Sequence, residues 1–303
     1  MTATLRPVAA WRDAARRFAF GDDRLAWWTS GESDDDRPWL LLIHGFPTSS
    51  WDWSAVWPAL AERFNLLALD MLGFGLSDKP TRRRYSIFAQ ADLQEALLEF
   101  VGLGEAHVLA HDYGDTVAQE LLARHNERAL SFNLKSVAFL NGGVFQGAYH
   151  PLPIQRLAAS PLGPIVSRLM TRERFAASFS TIFAERSQPT EAELDAHWSL
   201  ILENGGARIL HKLIRYMGER ETWRDRWGGA IEEARAPTAM IVGADDPISG
   251  AQMLDAYRER APGAADGPRA TLLDGIGHYP QIEAPARCLE AFFAFHDAGF
   301  VNA

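Results

Sequence analysis

The sequence predicts an α/β fold: a mostly parallel central sheet flanked by helices, with a helical cap inserted late in the chain. Three observations predict it. Apolar runs at 39–43, 66–69, 108–110, 137–140, 238–242 and 270–273 are continuous rather than alternating, as strands buried on both faces require. Helical segments separate them, which is the pattern of βαβ units. Residues 147–228 then break the alternation with helical periodicity and a load of large side chains, among them Phe175, Phe179, Phe183, Trp198, Tyr216, Trp223 and Trp227. The expected division is a core of 1–146 and 229–303 and a helical cap of 147–228, with most of these aromatics in the cap's own core.

In chain order, Phe18-Ala-Phe and Leu25-Ala-Trp-Trp read as a hairpin turning at 21–23. Residues 32–37 form a charged loop. The first buried strand, 39–43, ends in His44-Gly-Phe-Pro-Thr-Ser-Ser-Trp-Asp-Trp53, and 51–64 reads as an amphipathic helix. The second strand ends at Asp70 and runs into Met71-Leu-Gly-Phe-Gly-Leu-Ser-Asp-Lys-Pro80. Arg82, Arg83 and Arg84 follow; three arginines in a loop suggest a phosphate site, but such a run is more often a solvated face. A helix is expected over 85–103, a strand and helix around Asp112, and a closing helix over 283–296.

Composition narrows the classes. The 303 residues hold one large or two smaller domains, and 47% hydrophobic content supplies a sizeable core. A net charge of −9 argues against nucleic acid or an anionic membrane as partner. The single cysteine, Cys288, forms no internal disulfide and reads as a core residue of the last helix. No leader-like stretch occurs in 1–17 and no run reaches membrane-spanning length. The expectation is a soluble, cytoplasmic protein; nothing in the sequence sets its oligomeric state.

The stretch around which the chain is organised is His107-Val-Leu-Ala-His-Asp-Tyr-Gly-Asp-Thr-Val-Ala-Gln-Glu120. Within it, Ala110-His-Asp-Tyr-Gly114 fits small-x-nucleophile-x-Gly, a sharp strand-to-helix turn that exposes one side chain. Its centre is Asp112. A carboxylate gains little by attacking an acyl carbon, but attack on an sp3 carbon gives an ester that a base and water can cleave. An aspartate before a helix is also an ordinary N-cap.

The elbow resembles that of the epoxide hydrolases and haloalkane dehalogenases of the α/β-hydrolase superfamily, and three further motifs share the resemblance. His44-Gly-Phe-Pro resembles the oxyanion loop, which implies the Phe46 and Tyr113 backbone N–H groups as oxyanion donors. Gly243-Ala-Asp-Asp-Pro resembles the acid loop, with Asp246 preferred over Asp245. Gly277-His-Tyr-Pro-Gln-Ile-Glu-Ala-Pro285 resembles the base loop and implies His278. Asp112, Asp246, His278 is the nucleophile–acid–base order of the superfamily. Asp70 and Ser77 are expected to be structural. Longer stretches, including His111-Asp-Tyr-Gly-Asp and Asn141-Gly-Gly, are similar to the mesoderm-specific transcript branch.

The aromatic cap predicts an apolar small-molecule substrate; the mechanism that the resemblance implies uses water and requires no cofactor, and no metal-ligand motif stands in the sequence. A leaving halide needs N–H donors, and dehalogenases place Trp after the nucleophile and often Asn in the oxyanion loop; Tyr113 and Phe46 stand there instead. An epoxide needs an acid for its alkoxide, for which the cap offers Tyr216 and, second, Tyr149. Trp53 and His111 are expected to line the pocket. Epoxide hydrolysis leads, with dehalogenation and a non-catalytic ligand-binding role as alternatives.

Overall fold

The computed structural model describes residues 5–31, 36–264 and 267–299. Most of the charged loop expected at 32–37 lies outside the described residues. Eight strands form one sheet in the order β1-β2-β4-β3-β5-β6-β7-β8. β1 (Arg16–Phe20) and β2 (Asp23–Thr29) are the expected hairpin, and β2 also runs antiparallel to β4 (Asn65–Leu69). From β4 outward through β3 (Trp39–Ile43), β5 (Glu105–His111), β6 (Asn133–Leu140), β7 (Thr238–Gly243) and β8 (Ala270–Leu273), every pairing is parallel. Helices cover both faces, and two apolar clusters sandwich the sheet. Alternate residues of one strand enter opposite clusters: Leu41 and Ile43 one, Leu40 and Leu42 the other.

On the amino-terminal side of the chain stand α1 (Val8–Asp13), α2 (Trp57–Ala61), α3 (Ile87–Val101) and α4 (Tyr113–Asn126). Between β6 and β7 the chain passes through α5 (Pro153–Ala159), α6 (Gly163–Arg168), α7 (Arg172–Ser180), α8 (Glu191–Leu202), α9 (Leu210–Leu213), α10 (Tyr216–Thr222) and α11 (Arg224–Glu232). The last of these runs past residue 228, after which the core was expected to resume. It is bound to α4: Trp227 Nε1 donates to Glu120 Oε2 at 2.9 Å, beside Arg226 on the same carboxylate. α12 (Ala251–Arg260), α13 (Pro280–Glu283) and α14 (Pro285–Asp297) complete the chain.

Two expected helices are broken, both at proline. The single helix expected over 51–64 is a 3-10 helix, Ser50–Ala55, followed by α2; Pro58 has no N–H to continue the ladder from the preceding turn. The closing helix expected over 283–296 is α14, which starts two residues later at Pro285, where the missing N–H separates it from the short turn α13. α3 matches its expected span closely because its ends are signalled: the Ser86 hydroxyl accepts from Ala89 N–H, and Gly102, at φ 81°, provides the left-handed cap. α1 and α12 were not anticipated.

The loop after β4 is built on Asp70, which accepts from Ser50 N–H at 2.8 Å, Ser50 Oγ at 2.6 Å and Leu76 N–H at 2.7 Å. Ser77 Oγ donates to the Asp70 carbonyl and accepts from Ala26 N–H. At Gly75, φ 46°, a Cβ would lie 2.0 Å from Asp70 Oδ2, so the carboxylate occupies the space a side chain would need. Phe139, wholly buried in β6 between β5 and β7, should cost about 3–5 kcal/mol when cut to alanine, read as a lowered denaturation midpoint at unchanged slope.

Candidate active site

The strand order reverses between β3 and β5, since the chain leaves β3 for β4 on one side and returns to β5 on the other. In open parallel sheets the crevice at that point, beyond the carboxyl ends of the strands, is where ligands bind. Phe46 follows β3 and Asp112 follows β5, so the two flank the crevice; Asn141, Asp246 and His278 follow β6, β7 and β8.

Asp112 sits at φ 49°, ψ −105°, between the last residue of β5 and the first of α4. A non-glycine residue at positive φ is strained and persists only where its surroundings hold it. Here Gly114 brings α4 against β3: a Cβ on Gly114 would lie 2.3 Å from the Ile43 carbonyl and 2.7 Å from that of His44. Asp112 occupies the N-cap position, but its side chain makes no capping bond. Its carboxylate, 5% exposed, turns to the crevice instead. Oδ2 accepts from Phe46 N–H at 3.0 Å. The Tyr113 N–H, at the first position of α4, has no acceptor within the helix. Oδ1 has Tyr216 OH at 3.4 Å, a long contact for O–H···O, Arg220 Nη2 at 3.8 Å and His278 Nε2 at 4.0 Å.

His278 Nδ1 lies 2.7 Å from Asp246 Oδ2. Asp246 also accepts from Asn141 Nδ2 at 2.8 Å, Ser249 Oγ at 3.0 Å and Ile248 N–H at 2.8 Å, and Asn141 is itself oriented by Gly243 N–H on its Oδ1. Asp245 is exposed. Burial opposes a charged imidazole, but the Asp246 carboxylate and its hydrogen bond, then the Asp112 charge, outweigh it and raise the His278 pKa above its usual value. Burial likewise disfavours ionised Asp246, and the charge and hydrogen bond of His278 with the Asn141 and Ile248 donors reverse that, lowering its pKa. The base loop is held by Glu283, whose carboxylate accepts from Gly277 and Tyr279 N–H on either side of His278, each at 2.9 Å, and from Ala184 N–H.

A cavity of about 100 Å³ opens on His278 and Phe46 and is otherwise walled mainly by aliphatic and aromatic side chains, Leu152, Met170, Phe175, Phe179, Ile201 and Ile214 among them. Trp53 and His111, expected to line it, do not. Trp53 is fully buried in the cluster that holds Trp57, Leu66 and Phe292. His111 Nε2 lies 2.8 Å from the His278 carbonyl, and burial followed by the charge of His278 pushes its pKa down to about 3, so it is a neutral donor that anchors the base loop.

Sequence reasoning missed Arg220. Its guanidinium is buried and donates from Nε to Thr116 Oγ1 at 2.7 Å and from Nη2 to the Asp112 carbonyl at 2.9 Å. It lies over the rings of Tyr216 and Tyr149, 4.6 and 5.1 Å from their centroids. The available signal was its place four residues after Tyr216, on the same helical face. Burial, then the Asp112 charge, raises the Tyr216 pKa well above 10, and burial pushes Tyr149 up to about 12, so both phenols keep their protons near neutrality. Asp246→Asn removes the first group that sustains the imidazolium and leaves burial in place; the His278 titration should fall from above 6.5 to below it. Proton NMR of the imidazole checks this, and an unmoved midpoint would refute the assignment of the shift to Asp246.

Among the described residues no helix is long and apolar enough to cross a membrane, and no group of three His, Cys, Asp or Glu could hold a metal ion. The α/β-hydrolase fold family model matches residues 38–285. The chain is 40% identical over 284 residues to a protein named as hydrolase LipZ of Mycobacterium tuberculosis, covering 94% of this chain and 96% of that one. It is 38% identical over 296 residues to the mesoderm-specific transcript protein of Mus musculus, covering 94% and 87%. Among solved structures, haloalkane dehalogenase DbeA of Bradyrhizobium elkani superposes with a TM-score of 0.76 at 21% identity, covering 94% of this chain and 98% of that one. Epoxide hydrolase CorEH gives 0.75 at 18% identity over the same shares. At those identities the two structures share the fold alone. The chain belongs to the α/β-hydrolase family.

Proposed function

We propose that the protein opens epoxides to vicinal diols through a covalent ester on Asp112, with the helices between β6 and β7 acting as a cap over the site. The observation that carries this reading is what faces the free oxygen of Asp112: a phenol, Tyr216, braced by a buried guanidinium. A phenol suits a leaving alkoxide, which needs a proton. A leaving halide needs N–H donors, and no Trp or Asn lies among the residues that wall the cavity.

Asp112 Oδ1 attacks an epoxide carbon, the C–O bond breaks, and the ring oxygen takes the Tyr216 proton as its charge develops. The cation of Arg220 over the ring favours the phenolate left behind. Neutral His278 then removes a proton from water, and the hydroxide attacks the ester carbon of Asp112. The charge that forms on the Asp112 oxygen is met by the N–H groups of Phe46 and Tyr113. Collapse expels the diol and restores the carboxylate, and the His278 proton returns to Tyr216. Asp246 fixes the imidazole tautomer throughout. This second step needs neutral His278, so its rate should fall as pH drops through the raised pKa of that residue.

His278→Gln should strand the ester. After exposure to a mixed panel of epoxides and haloalkanes, its intact mass should rise by one whole epoxide, and peptide mapping should place the adduct on Asp112. An adduct equal to an alkyl group without its halogen would overturn the epoxide reading, and no adduct with any panel member would count against the ester itself. Tyr216→Phe should lower kcat for epoxides by about 10²-fold or more, since the loss of a positioned acid costs on that scale.

A further inference from the structure

A second cleft lies away from His278. It lies on the outer side of the insertion, with a volume of about 860 Å³, between the loop after Pro80 and helices α9 and α10. Arg82, Arg83 and Arg84 form one wall and Lys212 and Arg215 the other, with Glu219 as the only carboxylate among the lining residues. Five cations face one another in a chain whose net charge is −9.

Little of that charge is neutralised locally. Arg83 is paired with Asp23 at 2.7 Å, and Lys212 donates to the Thr81 carbonyl, which ties the arginine loop to the insertion. Glu219 Oε2 accepts from Ile87 N–H at 2.8 Å, and its charge is felt by Arg84 without a close ion pair. Among the described residues Arg82, Arg84 and Arg215 make no ion pair or side-chain hydrogen bond, and all three are exposed. The field is felt by His211 nearby, whose pKa is lowered by burial and then by Arg215, Lys212 and Arg168. Clefts lined by one sign of charge concentrate ions of the other. The Trp223 indole, 44% exposed and set edge-on against Phe88 at 5.1 Å, supplies an apolar shelf in the same cleft.

We propose that this cleft binds a phosphate-bearing anion, held between Arg82 and Arg84 of the core and Arg215 of the insertion, with any apolar part of the ligand against Trp223. Guanidinium groups on two walls suit phosphate, whose oxygens accept paired N–H donors from more than one side. The solvated-face reading of the arginine run fails to account for the second basic wall, which sequence separation of about 130 residues hides. The same chemistry is offered by a soluble phosphate ester and by an anionic lipid headgroup. The site is separate from the chemistry at Asp112: α10 turns Tyr216 and Arg220 inward and carries the cleft on its outer face.

Inorganic pyrophosphate and vesicles of phosphatidylcholine with and without phosphatidic acid would be titrated against the full chain and an Arg82→Gln/Arg84→Gln/Arg215→Gln variant at low salt. Calorimetry would follow pyrophosphate and co-sedimentation the vesicles. All three positions are exposed, so the variant should keep the wild-type thermal midpoint without ligand. Saturable pyrophosphate binding that raises the wild-type midpoint and weakens tenfold or more in the variant supports the site with a soluble ligand. Binding only to phosphatidic acid vesicles, lost in the variant, supports it with a lipid headgroup. Binding to neither probe, or equal binding by both proteins, overturns it.

Discussion

The site depends first on how closely α4 approaches the end of β3. A hydrogen at Gly114 is all that fits against the Ile43 and His44 carbonyls, and a hydrogen at Gly45 is all that fits against His111 and Asp112, where a Cβ would lie 2.8 Å from the imidazole. These two contacts leave the chain no room to relax between β5 and α4, so Asp112 is held at positive φ with its side chain in the crevice rather than on the helix end. The cost of such a backbone is about 1–3 kcal/mol. It is met by the parallel pairings of β5 with β3 and β6 and by the Asp112 carbonyl bond to Arg220. Strain here has a use, because the same turn that makes the residue costly also exposes its carboxylate.

Asp112, Asp246 and His278, which the fold brings together, were legible because each stands in a local pattern: a strand, a sharp loop with small residues, then a helix. Asp112, Asp246 and His278 could be named from windows of about ten residues, and so could the strands, whose continuous apolar runs have one physical explanation. What local windows could not show were groups that act across long separations. Arg220 meets Asp112 from 108 residues away, and Asn141 meets Asp246 from 105. The contrast between Trp53 and Phe46 makes the same point. Both lie between β3 and α2 and both are aromatic, but Trp53 turns into the cluster under the sheet and Phe46 into the cavity. Nothing in residue type distinguishes them; the direction of a 3-10 turn does.

Charge is distributed with economy for so buried a site. Asp112 and Asp246 are accompanied by Asp115 and Asp52, both inaccessible, both with pKa values raised well above the usual range by burial. Four ionised carboxylates in that volume would be very unfavourable, since an unpaired buried charge costs several kcal/mol or more. Burial thus acts against ionisation at both Asp115 and Asp52. Asp52 lies 3.8 Å from His197, whose pKa burial pushes down to about 3, so burial disfavours the charged form of both members of this pair. Arg220 stands against Asp112, and the His278 imidazole is hydrogen-bonded to Asp246.

The insertion is joined to the core at the base as well as at the acid. His278 N–H donates to the Ile182 carbonyl at 2.8 Å, and Glu283 bridges amides of both parts. Gly277 lies so close that a Cβ would come within 2.5 Å of the same Ile182 carbonyl. At the other end Tyr216 and Arg220 reach Asp112 from α10, and α11 is fixed to α4 through Glu120. Lifting the insertion as one body would break all of these together and disassemble the site. α5 has no buried residue, and Ile154 and Leu157 on it are more than a third exposed. Ile154 and Leu152 nonetheless wall the cavity. With little apolar surface to re-expose, the α5 wall costs little to displace. No hydrogen bond of Asp112, Asp246 or His278 runs to α5, so a displacement there would leave their arrangement intact.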